Sequence, residues 1–167
     1  MHVFNRARLI KNSTNRIPYG VDLIQKYKRE SWIVFTENKK QAKEFNKIIN
    51  TKGFKSALYN TDLDSAERLE NLNKFKKADL NVLVTCTALD EGFDMPEADG
   101  ALILSASSSK RQRVQRMGRV LRITENKPNA LIVTVYSSKT EFDKLMEEAK
   151  RYHCLLYTSP SPRDYRE

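Results

Sequence analysis

Residues 114–122 read "VQRMGRVLR", directly after "KRQR", so a glycine and three arginines stand among apolar residues. On a helix of about 3.6 residues per turn, Gln115, Arg119 and Arg122 fall within an arc of roughly 60°, while Val114, Met117 and Leu121 share another face. One face is fit to pack and the other to meet an anion. A guanidinium is planar, always charged and offers paired donors to phosphate oxygens, so such a face suits a phosphorylated ligand. A solvated basic face gives the same pattern, and the segment alone leaves both readings open.

A second candidate lies upstream, in "TALDEGFDMPEADG" after an apolar run. Gly92 allows a sharp turn or a close approach to a ligand, and the Asp94 carboxylate can accept hydrogen bonds from ribose hydroxyls. Solvation of an ordinary turn by Asp90, Glu91 and Asp94, with Pro96 as a stop, is the plainer alternative. "NVLVTCTALDE" can also be taken as a magnesium-binding strand ending in Asp-Glu, but Thr85, Cys86 and Thr87 interrupt its apolar run. The chain has five glycines, followed by Val21, Phe54, Phe93, Ala101 and Arg119. Without Gly-Lys-Ser/Thr there is no phosphate-cradling P-loop.

The composition limits what else the chain can do. Its 167 residues, 40% hydrophobic and 31% charged, suffice for one core of ordinary domain size. Thirty Lys plus Arg against 21 Asp plus Glu give a net charge of +9, which favours a polyanionic partner such as nucleic acid or nucleotide phosphates. Cys86 and Cys154 form neither a disulfide framework nor a Cys-x-x-Cys pair, and His2 and His153 lie at opposite ends, so no metal site is expected. No run approaches the roughly 20 apolar residues of a membrane span and no signal peptide is evident, so no membrane partner and a cytoplasmic location are expected.

The elements that must position these residues follow from the apolar pattern. Runs at 31–36, 81–86, 101–106 and 130–136 are nearly continuous rather than alternating, as in strands covered on both faces. A weaker strand at 55–60 sits between two helical patterns, as a βαβ unit requires. Asn38 is placed to cap a helix whose Ala42, Phe45, Ile48 and Ile49 share a face, with Gly53 as its stop. Asp64 with Glu67 forms a capping box ahead of a second helix, with Ala66, Leu69, Leu72 and Phe75 as the expected buried stripe. The last helix is "SSKTEFDKLMEEAKRY". The fold class is therefore α/β, a three-layer parallel sheet flanked by helices. Residues 1–30 are expected to be a helical lead-in and 31–152 the domain proper. Residues 153–167 have no helical period, and "LLYTSPSPRD" resembles a run found at the ends of unrelated conceptual translations. They are set apart as a disordered tail or a cloning or sequencing scar.

Taken together, "SWIVFTENKKQA", "ERLENLNKFKKADLNVLVTCTALDEGFDMPEA" and "QRMGRVLR", in this order, resemble motifs IV, V and VI of the second RecA-like domain of superfamily 2 helicases and translocases. The resemblance covers about residues 20–150. It implies that ATP, with Mg2+ held by a separate first RecA-like motor domain, lies in a cleft between the two domains. By that resemblance Arg119 and Arg122 match arginine fingers, and Gln115 matches the glutamine at the γ-phosphate or attacking water. Gly92 and Asp94 match the ATP-binding loop, and Asn38, Lys39 and Thr87 match positions that hold nucleic-acid phosphates. Arg116 faces elsewhere on the wheel and is assigned an ion pair with the acidic loop. Cys86 departs from the threonine often found there, which weakens the case for a contact at that position. The Asp-Glu-Gly loop and leading glutamine are closer to repair- and restriction-type DNA translocases than to DEAD-box RNA helicases. The expected function is a C-terminal motor domain acting on DNA, with RNA as the alternative substrate and a free-standing nucleic-acid-binding module without ATPase activity as the rival.

Overall fold

A computed structural model describes residues 2–8, 16–86, 97–104, 130–136, 139–151 and 155–159. In chain order the elements are β1 (His2–Arg8), α1 (Arg16–Lys26), β2 (Trp32–Thr36), α2 (Lys39–Thr51), β3 (Ser56–Tyr59), α3 (Ser65–Lys76), β4 (Val82–Cys86), β5 (Gly100–Ile103), β6 (Ala130–Tyr136), α4 (Lys139–Arg151) and β7 (Leu155–Ser159). The strands form one sheet in the order β3-β4-β2-β5-β6-β1-β7. Every pairing is parallel.

The continuous apolar runs account for the centre of this sheet. All five residues of β2 and all five of β4 are buried, as a strand between two helical layers must be. On one face Trp32, Val34, Val82, Val84, Leu102 and Val133 pack against Ile17, Val21 and Ile24 of α1 and Ala42, Phe45 and Ile49 of α2. On the other, Ile33, Phe35, Leu83, Ala101, Ile103 and Ile132 pack against Leu72 and Phe75 of α3. The expected three-layer α/β architecture is what the chain adopts.

Close fitting at the amino end of β5 depends on one missing side chain. Gly100 is in register with Trp32 on the neighbouring strand, and the indole covers it so tightly that a Cβ there would lie 2.6 Å from Trp32 Cε3. Beside it, Ser31 Oγ donates to Asp99 Oδ2 at 2.9 Å and accepts from Asp99 N at 3.0 Å, which locks the starts of β2 and β5 together. At the opposite end, the buried Arg16 heads α1 and donates from Nη1 to Leu104 O at 2.9 Å, just past β5.

The helix signals behave as their chemistry requires. Gly53 adopts φ +86° after α2, a conformation that costs glycine little. Asp64 accepts from Glu67 N at 2.7 Å and Glu67 Oε2 accepts from Asp64 N at 3.4 Å, completing the capping box of α3. Strand β3 is a sheet edge, and side-chain amides cover its open backbone groups. Asn50 Oδ1 accepts from Ser56 N at 3.1 Å, and Asn71 Nδ2 donates to Leu58 O at 3.0 Å.

Three features differ from the sequence reading. The lead-in at 1–30 contains strand β1 as well as helix α1, and β1 runs parallel to β6 in the register His2↔Ala130 to Arg8↔Tyr136. Residues Leu155–Ser159, assigned to the tail, form β7 against β1. In α3 only Leu72 and Phe75 of the expected stripe are buried; Ala66 is exposed, and Leu69 is 57% exposed. Among the described residues that helix lies beside the edge strand β3, and its amino-terminal half has no further strand to cover.

Candidate nucleic-acid interface at the carboxyl edge of the sheet

In a parallel sheet all strands point the same way, so the segments after β2, β3, β4 and β5 leave from one edge, where ligands of open α/β sheets bind. The segment after β2 contains Asn38 and Lys39, and that after β3 contains Asn60 and Asp62. Thr87, Gly92, Asp94, Gln115, Arg119 and Arg122 follow β4 and β5 in sequence and lie outside the described residues.

Asn38 is the cap of α2, with φ −152° and ψ 170°. Its Oδ1 accepts from Gln41 N at 2.9 Å, while Gln41 Oε1 accepts from Glu37 N at 2.7 Å. The oxygen is thus committed to the helix, and the Nδ2 amide is the end of this side chain suited to an anion. Lys39 and Lys40 open the helix, where backbone N–H groups have no carbonyl a turn earlier to bond and the helix dipole favours negative charge.

Lys39 and Lys43, one turn apart, converge on a single carboxylate. Lys39 Nζ bonds Asp62 Oδ1, and Lys43 Nζ lies 2.9 Å from Asp62 Oδ2. The two ammonium groups hold the Asp62 carboxyl below its ordinary range, chiefly through the hydrogen bond from Lys39 and then that from Lys43. Asp62 itself is fixed from below by Asn60. That residue is fully buried, and its Oδ1 accepts from Asp62 N at 3.0 Å. Asn60 therefore braces the turn that carries Asp62, and the Asp62 carboxylate pairs with both lysines.

The exits of β2 and β4 are tied to each other. Thr36 Oγ1 lies 3.0 Å from Thr85 O and 3.2 Å from Asn38 O, so one buried hydroxyl serves both segments. Cys86, next in line, packs with Val82 and Val84 in the apolar cluster under α1 and α2. Its side chain is buried in the core.

The Helicase conserved C-terminal domain model matches residues 15–124. The chain belongs to the helicase C-terminal domain family. It is 36% identical over 129 residues to the DNA 3'-5' translocase XPB2 of Sulfurisphaera tokodaii, covering 77% of this chain and 28% of that protein. It is 26% identical over 162 residues to the UvrABC system protein B of Fusobacterium nucleatum, covering 90% of this chain and 24% of that one. The ATP-dependent rRNA helicase RRP3 of Scheffersomyces stipitis is 26% identical over 118 residues, or 71% of this chain and 24% of that helicase. The helicase-family chain thus spans about a quarter of the length of these curated relatives. In fold it matches the C-terminal domain of the DEAD-box protein Dbp5 with a TM-score of 0.80 at 19% identity, over 95% of this chain and 90% of that one.

Of the residues singled out from sequence, Asn38 and Lys39 stand together at this edge. Sequence reasoning missed Lys43, Asn60 and Asp62. A signal for the first was present: two lysines at i and i+4 repel on a helix face unless an anion sits between them.

Proposed function

We propose that this helicase-family chain is the second motor domain of an ATP-dependent DNA helicase or translocase, supplying arginine fingers and part of the nucleic-acid track. The observation that carries the reading is the 36% identity over 129 residues to a DNA 3'-5' translocase. Lys39 and the cap of α2, at the carboxyl edge of a parallel sheet, support it. Phosphate contacts of this kind position a strand without reading its sequence, as a motor that steps along any sequence requires. The 26% identity to an rRNA helicase supports RNA as the second reading, and the higher identity to the translocase favours DNA.

In this reading ATP lies between this domain and a first RecA-like motor domain. Gly92 and Asp94 hold it at the ribose side, and Gln115, Arg119 and Arg122 meet the γ-phosphate. Bound ATP supplies the phosphoryl group whose hydrolysis drives movement. Arg119 and Arg122 place two planar cations where negative charge develops during that transfer. The magnesium ligands and the P-loop are assigned to the first domain, since no glycine of this chain is followed by Lys-Ser or Lys-Thr. A cytoplasmic location is part of the reading, and among the described residues no helix is long and apolar enough to cross a membrane.

The test is ATP turnover. Alone, the chain is expected to hydrolyse ATP no faster than buffer, and joined to a first motor domain it is expected to gain DNA-stimulated hydrolysis. Turnover by the chain alone that disappears in Arg122→Ala would overturn this assignment.

A further inference from the structure

The pair of lysines on α2 is already occupied by an anion of the protein's own. We propose that Asp62 is a built-in competitor for the nucleic-acid phosphate, a carboxylate that must leave Lys39 and Lys43 before a strand can bind them, and that Lys43 is a second phosphate contact beside Lys39. This inference rests on the nucleic-acid reading above and adds a device that weakens binding to it.

The geometry carries the argument. The two ammonium groups reach the two different oxygens of one carboxylate, Lys39 on Oδ1 and Lys43 on Oδ2, an arrangement that a phosphate with two unbridged oxygens can replace. The site is open to solvent: the Lys39, Lys43 and Asp62 side chains are 47%, 58% and 33% exposed. Exposed ion pairs of this sort contribute little to stability, so the exchange of one anion for another is cheap. The carboxylate stands there because of the turn beneath it, since the buried Asn60 accepts from the Asp62 amide and aims the residue at α2. The α3 cap is a separate residue, Asp64, so Asp62 is not needed to start that helix.

Two consequences follow for binding. Displacing Asp62 returns a negative charge to solvent beside the bound strand, which lowers affinity and hides part of the salt dependence. A motor that must release each phosphate to step to the next benefits from contacts weakened in this way.

The experiment is a salt titration of a fluorescein-labelled oligo-dT strand against the full chain, its Asp62→Asn and Asp62→Ser variants, Lys43→Ala, and the Asp62→Asn/Lys43→Ala double variant, with melting curves for each. Both Asp62 variants are expected to bind about 3-fold or more tightly. Their slope of log affinity against log salt should steepen by about 0.7 for each lysine set free. Lys43→Ala is expected to cost more affinity in the Asp62→Asn background than in the wild type, because only there is Lys43 fully available. Wild-type binding that is unchanged or weakened in both folded Asp62 variants overturns the inference and leaves the nucleic-acid reading standing. If neither the wild type nor the Asp62 variants bind the strand at all, both fail.

Discussion

The Thr36 hydroxyl, at the end of β2, donates to the carbonyl oxygen of Thr85, near the end of β4, across 3.0 Å of buried interior. The bond joins the two strand exits that lead to Asn38 and Lys39 on one side and to Thr87 on the other. Thr36→Val keeps the shape and removes the donor, which leaves a buried carbonyl short of a partner at a cost of about 1–3 kcal/mol. The expected readout is a melting temperature lower by several degrees. An unchanged melting curve would mean that the carbonyl is satisfied without this bond.

Gly100→Ala is expected to be among the more damaging single-methyl changes in the molecule. The added Cβ would meet Trp32, itself fully buried, at 2.6 Å, and Trp32 has no room to retreat. Overpacking of this kind costs roughly 1–3 kcal/mol, measurable by urea unfolding. A variant as stable as the wild type would show that β2 and β5 are less closely fitted than described.

Asp64→Ala removes the acceptor for Glu67 N and half of the capping box. It is expected to lower stability by about 1 kcal/mol while leaving single-strand affinity unchanged, because Asp64 takes no part in the lysine cluster. A shift in affinity larger than the shift in stability would contradict that separation.

Asp62 gives the account a pH dependence with a definite sign. Its folded carboxyl is held below the ordinary value of 3.8 by Lys39 and then Lys43, so the stabilising pairing is complete above that value. It is lost as the pH falls below 3.8 through the folded value. Carboxyl-carbon NMR is expected to find Asp62 titrating lower than an isolated aspartate, and Lys43→Ala or Lys39→Ala should move it upward. Titration at or above the ordinary value would mean that the lysines do not hold the carboxylate in solution.

The central strands were legible because their environment leaves a mark on composition. A strand covered on both faces must be apolar at successive positions, and "WIVF" within "SWIVFT" and "VLV" within "NVLVTC" are. The cap at Asn38 and the box at Asp64 and Glu67 were legible because they are local chemistry within four residues. Strand β1 was not, since "HVFNRAR" interrupts its apolar residues with polar ones and its partner β6 comes more than 100 residues later. The exposed Leu69 marks the same limit, because period alone does not say whether the sheet extends under a whole helix. At the candidate interface Lys39 could be found from the pattern after β2, whereas Asp62 is brought to it by the order β3-β4-β2, which no local signal encodes.

The central claim is a division of labour, with Arg119 and Arg122 acting on the nucleotide and Lys39 and Thr87 on the strand. Its most direct test is to measure ATP turnover and single-stranded DNA affinity side by side for a protein that joins this chain to a first motor domain, in Arg119→Ala, Arg122→Ala, Lys39→Ala and Thr87→Ala. The account predicts that either arginine variant loses hydrolysis by roughly 10³-fold or more with DNA affinity largely kept, since a finger acts on charge that develops in the transition state. The Lys39 and Thr87 variants are predicted to lose DNA affinity and with it the stimulation by DNA. If all four variants instead lose DNA affinity to the same degree, the arginine face of "VQRMGRVLR" is a nucleic-acid patch and the claim is wrong.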